Sequence, residues 1–380
     1  MAIGRVLVTL GAVILMSACG GRARSLPIGA AAPAFDLPGT DGQHHALADF
    51  AGSRVLAVVF TCDRCPDTQR YEARLAAIRA AYTAQDLALV AINPDDPASL
   101  RLADLDHTDA GESIEDMKVR ADWRHFTFPY LSAAASPELV TAFGVTALPQ
   151  IFVFDQARTL RYEGRIDDSP RGDHVTSPDA RNAIDAILAG RSVPVAETRA
   201  VGCQPARRSS PSVAETEAAA IAAAPVPLDL VGADGLKALR QNGTDGLLLV
   251  NFWATWCAPC IIEFPNLETT YQMYRSRHLS FVAVSVNDPE ERPAVLEFLQ
   301  QHHASHRNLL FNSPDVYGLQ AAFDPAMPAP VPFTLLLAPN GDVLYQELGG
   351  ADIPKLRRAI LANLPDDAAS IGQQTYWSQS

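Results

Sequence analysis

Two cysteine pairs are the groups in this chain best suited to chemistry: Cys257-Ala258-Pro259-Cys260 and Cys62-Asp63-Arg64-Cys65. Two residues between cysteines keep the sulfurs close enough to close a disulfide reversibly on one helical turn. Each pair follows an apolar run of strand length, Leu247–Trp253 and Arg54–Phe60, and precedes a stretch with helical features. A thiol between a strand end and a helix N-terminus lies at the positive end of the helix dipole, which favours thiolate over thiol. A zinc site would need a second Cys/His pair at ligand spacing, and none follows Cys260. The chemistry implied is thiolate attack on a disulfide, a mixed disulfide, then release by the second thiol. Cys257 would attack and Cys260 resolve, and Cys62 and Cys65 are expected to do the same. Arg64 would favour a nearby thiolate and Asp63 oppose it.

Elements must hold these thiols in place. Around the first pair the pattern reads as a turn at Asp41-Gly42, a strand at Arg54–Phe60 and a helix carrying Tyr71, Leu75, Ile78 and Tyr82. A strand at Leu87–Ile92, a helix at Ile114–Phe126 and a short helix near Leu139–Phe143 follow. Strands at Ile151–Phe154 and Leu160–Ile166 and a helix at Ala180–Leu188 close this half. The second half repeats the order: a strand at Leu247, a helix interrupted by Pro265, a strand at Leu279–Val286, helices at Arg292–His302 and Val316–Phe323, a hairpin turning at Asn340-Gly341, and a last helix at Ile353–Leu364. In each half an X-Pro, Leu148-Pro149 or Val331-Pro332, precedes the strand that would run beside the cysteine pair. Between the halves Arg207–Ala224 is rich in small residues and is read as a flexible tether in preference to a short surface helix through its Ala run.

Phe252-Trp253-Ala254-Thr255-Trp256-Cys257-Ala258-Pro259-Cys260 with Glu263 and Pro265 resembles the exported TlpA/ResA-like branch of the thioredoxin superfamily. Thioredoxin itself carries a buried Asp where this chain has Asn251. The TlpA-like branch instead places a Glu three residues after the second cysteine, and Glu263 matches it, within reach of Cys260 on one helix face. Phe60-Thr61-Cys62…Cys65-Pro66, Gly164–Asp168 and Gly202-Cys203 resemble the AhpC/TSA redoxin group. The resemblances imply an α/β fold of two tandem thioredoxin-like domains, residues 26–205 and 225–365, joined by 206–224 and followed by a polar tail, 366–380. They also imply that Pro149 and Pro332 are cis and leave backbone open for a substrate chain. No cofactor beyond the redox-active disulfides is expected.

Three further readings accompany this one. Peroxiredoxins place a hydroxyl residue three positions before a peroxidatic cysteine that is followed by Pro; Cys65-Pro66 fits, with Cys62 in place of the hydroxyl, although Val58 stands where the motif has its upstream proline. Two thiolates, Cys62 and Cys65, with His174 as a third ligand, would suit Cu(I). Cys203 is either an isolated thiol or, as the late Gly-Cys of the redoxin subgroup implies, a resolving partner for the first domain. His44-His45 and His302-His303 are expected to be solvated rather than metal-binding. The two sites are expected either to pass electrons directly to one another, the tether giving each a millimolar effective concentration of the other, or to work independently.

Composition bounds the rest. The 380 residues, 48% apolar and 19% charged, are enough for two cores. A net charge of −13 argues against nucleic acid as a partner. Arg5 precedes a short apolar run, Val6–Met16, and Leu15-Met16-Ser17-Ala18-Cys19-Gly20 resembles a bacterial lipoprotein signal. Residues 1–18 would then be removed and Cys19 lipidated, which implies export to the cell envelope, where disulfides persist. Expected partners are disulfide-containing envelope proteins, a membrane electron donor and, through the lipid anchor, the membrane.

Overall fold

A computed structural model describes residues 25–207 and 213–364. The first half contains strands β1 (Asp36–Pro38), β2 (His44–Ala46) and β3 (Val55–Phe60), helices α1 (Pro66–Gln69) and α2 (Glu72–Ala80), β4 (Leu87–Asn93), α3 (Ile114–Trp123), β5 (Tyr130–Ser132), α4 (Pro137–Phe143), β6 (Gln150–Phe154), β7 (Leu160–Gly164) and α5 (Asp179–Leu188). Helix α6 (Val213–Ala223) connects to the second half. There β8 (Asp229–Val231), α7 (Ala233–Arg240), β9 (Leu247–Trp253), α8 (Ala258–Tyr274), β10 (Leu279–Ser285), α9 (Arg292–Gln301), β11 (Arg307–Phe311), α10 (Val316–Phe323), β12 (Phe333–Leu337), β13 (Val343–Leu348) and α11 (Ile353–Asn363) follow.

The strands form two mixed sheets, β5-β4-β3-β6-β7 and β13-β12-β9-β10-β11-β8, beside the small β1-β2 hairpin. In each, the strand that delivers the cysteines pairs parallel with the next strand and antiparallel with the strand after the X-Pro. Helices cover both faces, so β3 and β9 are buried along their whole length, as their unbroken apolar runs require. Phe60, Phe143 and Phe152 interlock below the first site, and Trp253, Phe264 and Phe298 below the second. This is the thioredoxin-like arrangement, present twice.

Three expectations need correction. Helix α8 runs without interruption through Pro265, which lies inside it. The stretch read as a tether contains α6, consistent with the strong helix propensity of its Ala run. Glu217 on α6 accepts the Leu102 N–H at 2.6 Å and lies 3.8 Å from Arg275, so the helix touches both halves. His302 is not simply solvated: its ring packs 4.3 Å from that of Phe298. Cys19, residues 208–212 and the expected polar tail lie outside the described residues.

The two domains meet at the C-terminal end of α8. The Tyr274 hydroxyl donates to Thr108 O at 2.5 Å, Arg277 to Asp106 O at 2.9 Å and Arg357 to Asp109 O at 3.3 Å. Leu102, Leu105 and Trp123 pack against the core of the second domain. Cys260 lies about 21 Å from Tyr274 along the helix axis at 1.5 Å per residue. The Cys257–Cys260 pair is therefore at the end of α8 remote from the interface. This arrangement favours independent sites over a relay. A diluted, oxidised chain carrying Cys260→Ser and Cys203→Ser should form no intramolecular Cys257–Cys65 bridge; that cross-linked peptide as the main product of non-reducing digestion would contradict the arrangement.

Candidate active sites

In the second domain β9 ends at Trp253, and Cys257 is the N-cap of α8, with Pro259 in its first turn. Pro in the first turn sacrifices no helical hydrogen bond. Cys257 and Cys260 form a disulfide, S–S 2.04 Å. The Cys260 N–H points at Cys257 Sγ from 3.3 Å. Cys260 is fully buried, whereas Cys257 is 5% exposed, so an incoming group reaches Cys257 first. The Val331 carbonyl stands 3.5 Å from Cys257 Sγ, and the Val331–Pro332 bond is cis.

Glu263 is buried, not solvated. Its carboxylate accepts from Asn251 Nδ2 at 2.9 Å and from the Ala351 N–H at 2.7 Å. Burial pushes its carboxyl above the usual value, and these two bonds only partly oppose the shift. Asn251 also donates to Thr334 at 2.9 Å, while its own Oδ1 has no partner. Glu263 thus occupies the polar niche beneath the helix with Asn251 as its neighbour, and its hydrogen bonds run to Asn251 and Ala351.

The first domain departs from its expected pairing. Cys65 is bonded to Cys203, S–S 2.00 Å, and Cys62 is a free, buried thiol. Sheet register explains the difference. Phe252 pairs with Phe333, the residue after Pro332, and Phe60 pairs with Gln150, the residue after Pro149. Counting from these partners, Cys257 is five residues beyond Phe252 and Cys65 is five beyond Phe60. Cys65 is also the N-cap of its helix, and the Leu148 carbonyl, before the cis Leu148–Pro149 bond, lies 4.0 Å from its sulfur. By the same count Thr68 takes the place of Cys260, and Cys62 that of Ala254. The Cys-x-x-Cys spacing of the first domain is therefore not the site's own.

Cys62 sits in a buried polar cluster. Its sulfur and carboxylate oxygens of Asp95 and Glu112 all lie within 4.8 Å of one another. Burial, and then these two carboxylates, push its thiol well above the ordinary value, so it remains a protonated thiol and a poor nucleophile. Arg64 Nε donates to Asp95 at 2.7 Å. Glu112 accepts from the backbone N–H groups of Asp63 and Arg64 and from Asn93, fixing the loop that carries Cys62. Burial and Asp95 raise the Glu112 carboxyl to about 7. Asp63 is held by the Tyr130 hydroxyl at 2.8 Å and faces Arg120 at 3.4 Å. Arg64 still favours a Cys62 thiolate, but burial, Asp95 and Glu112 outweigh it. The Cu(I) arrangement is not assembled: Cys65 is disulfide-bonded, and exposed His174 lies beside Arg171 and Asp173. The oxygen donors around Cys62, Asp95 salt-bridged to Arg64 and Glu112 bonded to backbone N–H groups, are a poor set for a soft cation.

Sequence reasoning did not find Thr68, Asn93, Asp95 or Glu112. Thr68 carries a recoverable signal, a hydroxyl residue three positions after Cys65. Glu112 lies 49 residues from Asp63 and is brought there only by the sheet.

Residues 28–163 match the AhpC/TSA family, and residues 227–360 match the Redoxin family. The chain is a tandem thioredoxin-like protein. Similar proteins include the thiol-disulfide oxidoreductase ResA of Halalkalibacterium halodurans, 30% identical over 115 residues, covering 30% of this chain and 58% of that protein. The thiol:disulfide interchange protein DsbE homolog of Paracoccus denitrificans is 33% identical over 132 residues, covering 33% and 65% respectively. This tandem protein therefore matches only part of each relative's length. Among solved structures, a hypothetical protein from Sinorhizobium meliloti is 32% identical and covers 49% of this chain and 97% of its own, with a TM-score of 0.44.

Three outcomes test the site of the first domain. Thr68→Cys should redirect Cys65 into a disulfide with the introduced thiol and leave Cys203 open to alkylation; Cys203 remaining fully bonded would refute the register. Glu112→Ala should lower the stability of the first domain by about 3 kcal/mol or more, since it orphans three donors at about 1–3 kcal/mol each. A carboxyl raised on folding contributes stability below its ordinary value of 4.5 that is lost as pH rises through about 7. Denaturation midpoints of wild type should therefore fall relative to Glu112→Gln across that window.

Proposed function

We propose that this protein is an exported, lipid-anchored thiol-disulfide oxidoreductase that reduces or exchanges disulfides in cell-envelope proteins, with Cys257–Cys260 as its working pair. The observation that carries this reading is the Cys257–Cys260 disulfide at the start of α8, with its more accessible sulfur beside the Val331 carbonyl. The relatives named above as thiol-disulfide oxidoreductases support it. Trp256, next to Cys257, is 62% exposed, and Leu348, the register partner of Phe333, is 51% exposed. These apolar groups flank the X-Pro strand and suit a polypeptide substrate rather than a small polar thiol.

In the reduced protein the Cys257 thiolate attacks one sulfur of the substrate disulfide. That bond breaks, a Cys257–substrate bond forms, and the other substrate sulfur leaves as a thiolate. Cys260 then gives up its proton and attacks Cys257, closing the internal disulfide and releasing the second substrate thiolate. Two electrons pass to the substrate, and the disulfides need no other redox cofactor. An external dithiol, in our reading a membrane electron donor, restores the pair. Glu263, three residues after Cys260 on the same helix and charged above its raised carboxyl value, would carry the Cys260 proton. Pro332 would hold the substrate chain against Val331, as Pro149 would against Leu148. Cys19 supplies the anchor in this reading, and among the described residues no helix is long and apolar enough to cross a membrane. The charge of −13 fits a role without nucleic acid.

A second reading concerns the first domain. Cys65–Cys203 is the bond that peroxide reduction would leave. The Cys65 thiolate would take one oxygen from a hydroperoxide, releasing an alcohol or water, and the Cys203 thiol would displace that oxygen as water. Peroxide consumption by a Cys257→Ser chain supplied with dithiothreitol tests it.

Cys257→Ser should abolish reduction of a protein disulfide, and Cys260→Ser should trap the mixed disulfide; an active Cys257→Ser chain would defeat the proposal. Wild-type activity should fall as pH drops through the raised Glu263 carboxyl value. In Glu263→Gln that acid limb should vanish and the neutral-pH rate should fall roughly 100-fold. An unchanged profile would leave Glu263 a purely structural role. Cys19→Ala should release active protein from the membrane fraction, and a variant still bound to membrane would defeat the anchor.

A further inference from the structure

Beyond its disulfide, the first domain holds a piece of its own chain against the X-Pro strand. Cys203 and Leu148 form an isolated antiparallel bridge: the Leu148 N–H donates to Cys203 O at 2.7 Å, and the Cys203 N–H donates to Leu148 O at 3.1 Å. Leu148 precedes Pro149 as Val331 precedes Pro332. Among the described residues no strand or bridge pairs with Val331. The same backbone position is thus filled in one domain and open in the other.

The filling segment is built to fit. Gly202 has φ +147°, and a Cβ there would lie 1.9 Å from Leu148 O, so a side chain would push the segment off the strand. Gly164 plays the same part upstream, where a Cβ would lie 2.2 Å from Thr198 O. Upstream, the Thr198 N–H donates to Glu163 O at 3.0 Å and its hydroxyl meets the Tyr162 hydroxyl at 2.7 Å. Downstream, Arg64 donates to Gln204 O at 2.8 Å and the Ala206 N–H to Asp95 at 2.6 Å. Between these anchors Ala200–Gln204 bridges a cavity of about 510 Å³ over Thr146, Ala147 and Gln150, and Val201 is 69% exposed.

Two backbone hydrogen bonds beside a thiol, with a disulfide joining that thiol to the paired residue, form the arrangement of a mixed disulfide with an extended polypeptide. We propose that residues 198–206 occupy, as an internal substrate, a groove in the first domain that binds an extended cysteine-containing polypeptide, and that breaking Cys65–Cys203 opens the groove to such a polypeptide. The opening step consumes an external dithiol. One of its thiolates attacks Cys203, the half-buried sulfur, and Cys65, which is fully buried, leaves as thiolate. The second thiol of the reductant displaces Cys203, so two electrons enter and the reductant departs as a disulfide. The Cys65 thiolate then attacks an incoming peptide disulfide, forming the Cys65–peptide bond and expelling the other sulfur.

The experiment uses the full chain with Cys257→Ser and Cys260→Ser, so that it does not depend on the second domain's chemistry, and with Cys203→Ser, so that no neighbouring thiol expels the peptide from Cys65. The chain is reduced with dithiothreitol, freed of excess reductant, and mixed with a decapeptide whose single cysteine is activated as a 2-thiopyridyl disulfide. The expected product carries the peptide on Cys65 with one pyridine-2-thione released. The amide of residue 203 in this adduct should lose at least tenfold of the hydrogen-exchange protection it has in the Cys65–Cys203 disulfide, while the Leu148 amide, paired with the peptide, keeps its own. Adding Gly202→Val should speed the reaction at least tenfold. Peptide attached to Cys62, or residue 203 as protected in the adduct as in the Cys65–Cys203 disulfide, would overturn the proposal, and the latter reading stands even where Gly202→Val fails to fold. Equal rates from folded Gly202→Val and its parent would overturn it as well.

Discussion

The antiparallel pairing between the cysteine-delivering strand and the strand after the X-Pro governs the rest of this structure. It sets, in each domain, which residue meets the carbonyl before the proline, and therefore which sulfur does chemistry. The pairing is rigid because both partners are central and buried, and a slip of one residue would send every side chain of β3 or β9 to the opposite face. Phe60 and Phe252, wholly buried at the ends of these strands, hold the register by packing. Everything distinctive about the two sites follows from counting five residues onward.

From that shared frame the domains diverge in where the second sulfur comes from. In the second domain it lies one helical turn away, so oxidation and reduction move little of the chain. In the first, Thr68 takes that position, and Cys203 arrives from 138 residues downstream, bringing a backbone segment with it. The polar cluster of Cys62, Asp95 and Glu112 belongs to the same design. Glu112 ties down the loop before Cys65, Arg64 links Asp95 to the incoming segment, and the price is a buried thiol held protonated. Redox state in the first domain is thus coupled to the position of residues 198–206, whereas in the second it is confined to one turn of α8.

Much of the fold was legible because its signals are local. Unbroken apolar runs marked β3 and β9, and Asn340-Gly341 marked the last hairpin. The Cys257–Cys260 site was legible for the same reason, since strand, thiols and helix are contiguous. The first domain misled because Cys62 and Cys65 copy the spacing of a redox pair three residues early, and spacing carries no information about sheet register. Cys203 was legible only through the late Gly-Cys resemblance, and Glu112 and Asp95 reach the site through tertiary contacts that no window of sequence contains. The connector was misread because its Ala run looks featureless, yet Ala has the highest helix propensity, and Glu217 supplies the contacts that fix it.

Among the described residues the chain holds two separate two-electron couples, Cys257 with Cys260 and Cys65 with Cys203, and one bystander thiol, Cys62. Equilibrating the full chain across a series of dithiothreitol ratios, then labelling thiols with isotope-coded alkylating reagents before and after full reduction, reads every cysteine at each potential. The account predicts that Cys65 and Cys203 titrate together, that Cys257 and Cys260 titrate together, and that Cys62 stays reduced throughout. Cys62 titrating with Cys65 while Cys203 stays reduced would contradict it.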